Sequence, residues 1–193
     1  SASSLWAGDL VLLQDVNASS KNISNIGVVT ADSGTFSTVT TTDLIVNSYS
    51  LAIKTSDQAV VNSTFVVKDN HLFLTLLANA THEITGNTLY FSTSVASDLR
   101  IAYETPPNSK MALGIATQDG FVTLTSSGQQ IVGINTIANS TRTFLTNGII
   151  EMGDTPGTLQ FWWAQATKNG AETKIISGSY LRSKKIQWLN MIN

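Results

Sequence analysis

Leu159-Gln160-Phe161-Trp162-Trp163-Ala164 places Leu159, Phe161 and Trp163 two residues apart. In an extended chain successive side chains point to opposite faces, so these three share one face while Gln160 and Trp162 take the other. One large aromatic, Trp162, therefore leaves the core. It can cap a loop, pack in a subunit interface or offer a stacking platform to a sugar. Interface or capping is the better reading, because aromatics are enriched at interface centres and a single aromatic is a weak lectin signal.

Working outward from this stretch, apolar segments recur about every ten to fifteen residues across 57–189, as short strands do. They are Ala59–Val67, Leu72–Ala78, Thr88–Ser92, Leu99–Tyr103, Met111–Ala116, Phe121–Leu124, Ile131–Ile137, Thr143–Ile150, Lys174–Ile176 and Tyr180–Trp188, together with the stretch above. Turn signals separate them: Lys68-Asp69-Asn70, Thr85-Gly86-Asn87, Pro106-Pro107-Asn108-Ser109, Asp119-Gly120, Ser127-Gly128, Asn147-Gly148, Gly153-Asp154-Thr155-Pro156-Gly157 and Lys168-Asn169-Gly170. Dense turns between short strands favour a sandwich or barrel over any βαβ fold. The predicted fold is all-β, a C-terminal jelly-roll β-sandwich of about eight strands, a typical count for that architecture.

Composition agrees with this pattern. Ser, Thr and Asn make up 62 of the 193 residues, uncharged side chains that favour turns and strands over helices. Eleven basic residues face thirteen acidic ones, a net charge of −2, so the chain lacks the electrostatic footprint of a nucleic-acid binder. With no cysteine, disulfide staples, cysteine-based zinc sites and thiol nucleophiles are all excluded. No apolar run reaches the ~18 residues of a membrane span, and the first residues lack a basic stretch followed by an apolar one. Membrane insertion and a signal peptide are therefore not expected.

Residues 1–56 differ from the rest. They hold two basic side chains, Lys21 and Lys54, and small apolar clusters such as Ile23/Ile26/Val28/Val29, Phe36/Val39, Leu44/Val46 and Tyr49/Leu51/Ile53. Flexible Ser/Gly linkers do not insert branched and aromatic residues at strand spacing. Clusters this small cannot enclose a core alone. The segment is predicted to be an extended, β-rich appendage, residues 1–56, whose core is shared with sister copies or a larger assembly, followed by a knob domain, residues 57–193.

Motifs that carry chemistry are scarce. His71 and His82 stand beside Asp69 and Glu83, with no metal-ligand spacing, and read as solvated turn histidines. Neither GxSxG nor a P-loop occurs. Glu151 and Asp154 are near enough in sequence to suggest a glycosidase pair, yet nothing around them supplies the apolar pocket that would raise one pKa, so a charged loop rim is favoured. No catalytic, metal or cofactor residue is assigned. Five N-x-[ST] sequons, at Asn17, Asn22, Asn62, Asn79 and Asn139, are what chance produces in so Asn/Ser/Thr-rich a chain. Lys168, Lys174, Arg182, Lys184 and Lys185 cluster late in the chain, opposed only by Glu172. Such a cluster is a docking or lipopolysaccharide-binding patch or, more commonly, a solubilising face or edge-strand protection.

The stretches Asp69–Leu76, Asn87–Phe91, Asp98–Tyr103 with Pro106, and above all Gly157-Thr158-Leu159-Gln160-Phe161-Trp162-Trp163-Ala164-Gln165 leading to Gly178-Ser179-Tyr180-Leu181-Arg182 resemble the C-terminal module of bacteriophage fibre and minor tail proteins. That module is in turn similar to the trimeric TNF/C1q-type jelly roll. Thr30–Leu44 similarly resembles phage shaft or attachment segments. The resemblance implies a non-enzymatic, homotrimeric tail or head fibre, located in the virion after synthesis in the host cytoplasm. A capsid decoration protein and a carbohydrate-binding module are the alternatives. It implies docking to other virion proteins through the first residues, Leu5, Trp6, Leu10, Leu12 and Leu13 being the candidates. It also implies an exposed knob; the residue reading supplies Trp162, Trp163, Lys184 and Lys185 as candidate interface or ligand contacts, a host-surface glycan among the ligands considered. No catalytic residue is carried over.

Overall fold

The structure, a computed structural model, describes residues 49–186. Leu5, Trp6, Leu10, Leu12 and Leu13, and most of the predicted appendage with them, lie outside the described residues. The strands are β1 (Tyr49–Ile53), β2 (Gln58–Val61), β3 (Val67–Leu76), β4 (Thr81–Ser92), β5 (Leu99–Glu104), β6 (Lys110–Thr117), β7 (Gly120–Leu124), β8 (Gln130–Ile134), β9 (Ser140–Glu151), β10 (Gly157–Gln165), β11 (Glu172–Ile175) and β12 (Tyr180–Ile186). Among the described residues no helix is long and apolar enough to cross a membrane.

Nested antiparallel pairing builds the architecture: β1 with β12, β3 with β10, β4 with β9 and β5 with β8. The chain runs as one long hairpin rolled over so that successive pairs fall in opposite layers, which makes it a jelly-roll-like sandwich. The large sheet is ordered β1-β12-β4-β9-β6-β7, with β11 and β2 attached beside β4. The small sheet is ordered β3-β10-β5-β8. The β6–β7 hairpin, inserted between β5 and β8, joins the large sheet beside β9.

Alternation decides what is buried. Along β4 every second residue, His82, Ile84, Gly86, Thr88, Tyr90 and Ser92, is buried, the mark of a sheet with one face on the core. Along Leu159–Ala164 the alternation places Leu159, Phe161 and Trp163 fully buried, while Gln160 and Trp162 are only half-buried. An aromatic chain crosses the layers, Tyr90 to Phe144 at 6.1 Å, Phe144 to Phe161 at 6.0 Å and Phe161 to Tyr103 at 5.2 Å between centroids. Tilted aromatic pairs add to the burial that welds the two sheets.

Four sequence expectations are corrected. The boundary at residue 56 falls inside the sandwich, because Tyr49–Ile53 pairs residue for residue with Lys184–Tyr180. Thr85-Gly86-Asn87 and Asn147-Gly148 lie in the middle of β4 and β9 rather than in turns. Their glycines answer close packing instead: a Cβ on Gly86 would lie 2.6 Å from the Leu181 side chain, and one on Gly148 would lie 2.0 Å from the Ala112 carbonyl oxygen. Lys68-Asp69-Asn70 forms no turn between strands but a bulge within β3: Phe73 pairs with Gln160 and Lys68 with Trp162, so residues 69–72 oppose Phe161 alone. The histidines are not solvated turn residues either; both sit in strands, and His82 is buried with its Nε2 accepting the Leu77 N–H at 3.2 Å.

Candidate functional site

The outward face of the large sheet carries a row of exposed apolar side chains among polar ones. Registers align Ile53, Tyr180, Asn87, Leu145, Ala116 and Phe121 in one row across six strands. At strand spacing this row spans about 24 Å. Phe121 is 67% exposed, Leu145 51% and Ile53 51%. The adjacent row runs Leu51, Arg182, Thr85, Asn147, Gly114 and Thr123. The Phe121 ring lies over Gly114, where any Cβ would be 2.4 Å from it. A third row runs Tyr49, Lys184, Glu83, Ile149 and Ala112, so that charge enters this face through Arg182 in the second row and Lys184 and Glu83 in the third. Several large apolar side chains exposed in one row are a feature that contact surfaces share.

The border is basic. Arg182 and Lys184 flank the Tyr49 ring at 5.5 and 5.8 Å from its centroid. Arg182 also donates from Nε to Thr85 Oγ1 at 3.3 Å. Lys185 points the other way, opposite buried His82, where its charge and above all burial hold the His82 pKa below the usual histidine value.

Trp162 stands on the other sheet. Its Nε1–H donates to Glu104 Oε2 at 3.1 Å, and the Lys68 ammonium lies 5.0 Å from the ring centroid. Beside it a groove of about 480 Å³ is lined by Lys68, Phe73, Glu104, Pro106, Pro107 and Pro156, among others. Its proline and phenylalanine walls and its mixed donors and acceptors suit a ligand with one apolar and one polar face. Trp163 is 0% exposed in the core, so it contacts no surface partner. The four candidates Trp162, Trp163, Lys184 and Lys185 thus form no single site; they divide between the small-sheet surface, the core, the large-sheet surface and the interior side of β12.

Glu151 ends β9, exposed, with Lys110 at 3.7 Å. Asp154 accepts the Thr155 hydroxyl in an exposed loop. Among the described residues, no group of three or more His, Asp or Glu side chains is placed to hold a metal ion. The apolar row itself escaped the sequence reading, although adjacent apolar pairs signalled it. Phe144-Leu145, Ile149-Ile150 and Tyr180-Leu181 each put an apolar side chain on both faces of a strand, the pattern of a sheet covered on both sides.

No protein-family model and no curated protein matches the chain. Among solved structures it is similar to Eiger TNF from S. frugiperda at 9% identity and a TM-score of 0.34, over 72% of this chain and 93% of that one. Structures of infectious bursal disease virus, Gt and Gx strains, each give a TM-score of 0.24, at 9% and 10% identity, over 87% and 73% of this chain. The chain spans 47% and 36% of the length of those two viral chains. The jelly-roll assignment rests on the strand pairing, not on these likenesses.

Proposed function

We propose that the chain is a non-enzymatic structural protein of a bacteriophage virion, assembled as a homotrimer through the outer face of its large sheet. The observation that carries this reading is the exposed row of Ile53, Tyr180, Leu145 and Phe121. Apolar surface left in water forgoes about 25 cal/mol per Å² that burial against another copy would supply. Cyclic closure around a three-fold axis covers the patch on every copy and leaves none open to runaway association. The virion assignment is supported by the resemblance of most of residues 57–189 to phage fibre modules. In this reading the residues before β1 dock to other virion proteins, the protein serves as a tail or head fibre, with capsid decoration as the alternative, and it needs no cofactor. The groove beside Trp162 is then the surface offered to a host glycan.

Light scattering on the purified full chain tests the reading. The expected mass is three times 20.6 kDa, and Leu145→Lys is expected to lower it to that of a folded monomer. A well-folded wild-type monomer at micromolar concentration overturns it.

A further inference from the structure

The sandwich buries a lysine and an aspartate against each other, beneath the surfaces described above. Lys54 Nζ lies 2.8 Å from Asp69 Oδ2, and both side chains are 0% exposed. Among the described residues this aspartate oxygen is the one hydrogen-bond acceptor of the ammonium group, which carries three donors. An isolated ion pair in such a place is a poor stabiliser, since desolvation cancels most of the attraction.

The surroundings hold the two groups in a defined approach. The backbone of Lys54 is fixed on both sides, its N–H donating to Ser179 O at 2.8 Å and its C=O accepting from Gly178 N–H at 2.9 Å. Asp69 sits in the β3 bulge, where Gln58 clamps its neighbours: Gln58 Nε2 donates to Lys68 O at 2.9 Å and Gln58 Oε1 accepts from Asn70 N–H at 3.0 Å. Gln160 Nε2 donates to the Asp69 carbonyl at 2.9 Å. The two carboxylate oxygens are inequivalent. Oδ1 accepts the backbone N–H groups of His71 at 3.0 Å and Leu72 at 2.9 Å, while Oδ2 faces the lysine.

We infer that Lys54 and Asp69 condense into an intramolecular amide cross-link joining the end of β1 to β3. One ammonium proton passes to Oδ2, giving an amine and a carboxylic acid in contact. The amine lone pair attacks Cγ and the C=O electron pair moves onto Oδ1, where the His71 and Leu72 N–H groups receive the developing negative charge as an oxyanion hole does. A second proton moves from nitrogen to Oδ2, the Cγ–Oδ2 bond breaks, and Oδ2 leaves as water. The third ammonium proton stays on the amide nitrogen. No oxidant or further reactant enters, and two charges disappear from the interior. Fixed approach replaces an encounter between free groups, which is where intramolecular reactions gain most of their rate. A chain without cysteine thereby acquires a redox-independent staple just past its first described strand.

Intact-mass spectrometry on the denatured full chain tests the inference. After incubation of the folded protein, the expected mass is lower than the sequence mass by one water, about 18 Da. Peptide mapping is expected to return the Lys54 and Asp69 peptides as one branched species. Lys54→Arg keeps the positive charge but should not form this lysine amide, and it is expected to show the full mass. Wild-type protein that keeps the full sequence mass after prolonged folded incubation overturns the inference, as does a water loss that persists in Lys54→Arg.

Discussion

At the scale of single residues, small polar side chains and glycines set the geometry that the apolar residues then fill. Gly148 is the sharpest case. In the middle of β9, a Cβ there would stand 2.0 Å from Ala112 O and 2.8 Å from Leu113 Cα, both backbone atoms of β6 that no rotamer change can move. Gly148→Ala is therefore expected to push β6 off β9 and destabilise the fold by about 3 kcal/mol, as forced overpacking does. Gly170→Ala, whose Cβ meets nothing within 4 Å, is expected to stay within about 0.5 kcal/mol of the parent. Urea unfolding midpoints compare the two directly, and equal midpoints would show that the β6–β9 approach is not as close as described. Asparagines act through conformation instead. Asn62, Asn79 and Asn139 adopt φ of 56°, 50° and 56°, the left-handed region that Asn tolerates. The three sequons among the described residues are thus by-products of turn chemistry.

At the scale of elements, strands with one face inward were legible and close approaches were not. Leu159–Ala164 and Leu99–Tyr103 announce themselves by their own side chains, and proline or Asp-Gly turns at 106–109 and 119–120 fall where the signals place them. Gly86 and Asn147-Gly148 mimic turns because a glycine demanded by a neighbouring strand looks in sequence like one demanded by a tight bend. Asp69 mimics a turn for a better reason, since its carboxylate does cap two local N–H groups, inside a bulge. Long-range pairs leave no local trace: in sequence Lys54 reads as part of the appendage because Asp69, fifteen residues on, gives no signal of partnership. A chain covering 57–193 loses β1 and Lys54, leaves β12 as an unpaired edge, and strands the Asp69 carboxylate in the interior, at a cost of about 3–5 kcal/mol for the orphaned charge alone. It is expected to unfold without cooperativity or to aggregate, whereas 49–193 is expected to give a sharp thermal transition by circular dichroism. A cooperative transition for 57–193 would show that β1 is dispensable.

At the scale of the whole molecule, the two faces of the sandwich differ in kind. The small sheet presents a mixed groove with charges of both signs, Lys68 and Glu104, whereas on the large-sheet face the row from Ile53 to Phe121 carries no charged side chain, although Arg182, Lys184 and Glu83 stand in the rows beside it. Association through the second should therefore be driven by apolar burial and be nearly indifferent to salt, since screening acts on charges. It should also couple to stability: copies that bind only in the folded state shift the unfolding equilibrium by mass action, and the melting temperature then depends on protein concentration. Calorimetry over a hundredfold concentration range is expected to show the melting temperature of the wild type rising with concentration, at low and at high salt alike. Leu145→Lys, which sets an ammonium in the middle of the row, is expected to melt at one temperature throughout. A wild-type transition that ignores concentration would mean that the apolar row stays open to water in solution, and the reason for placing a symmetry axis there would be gone.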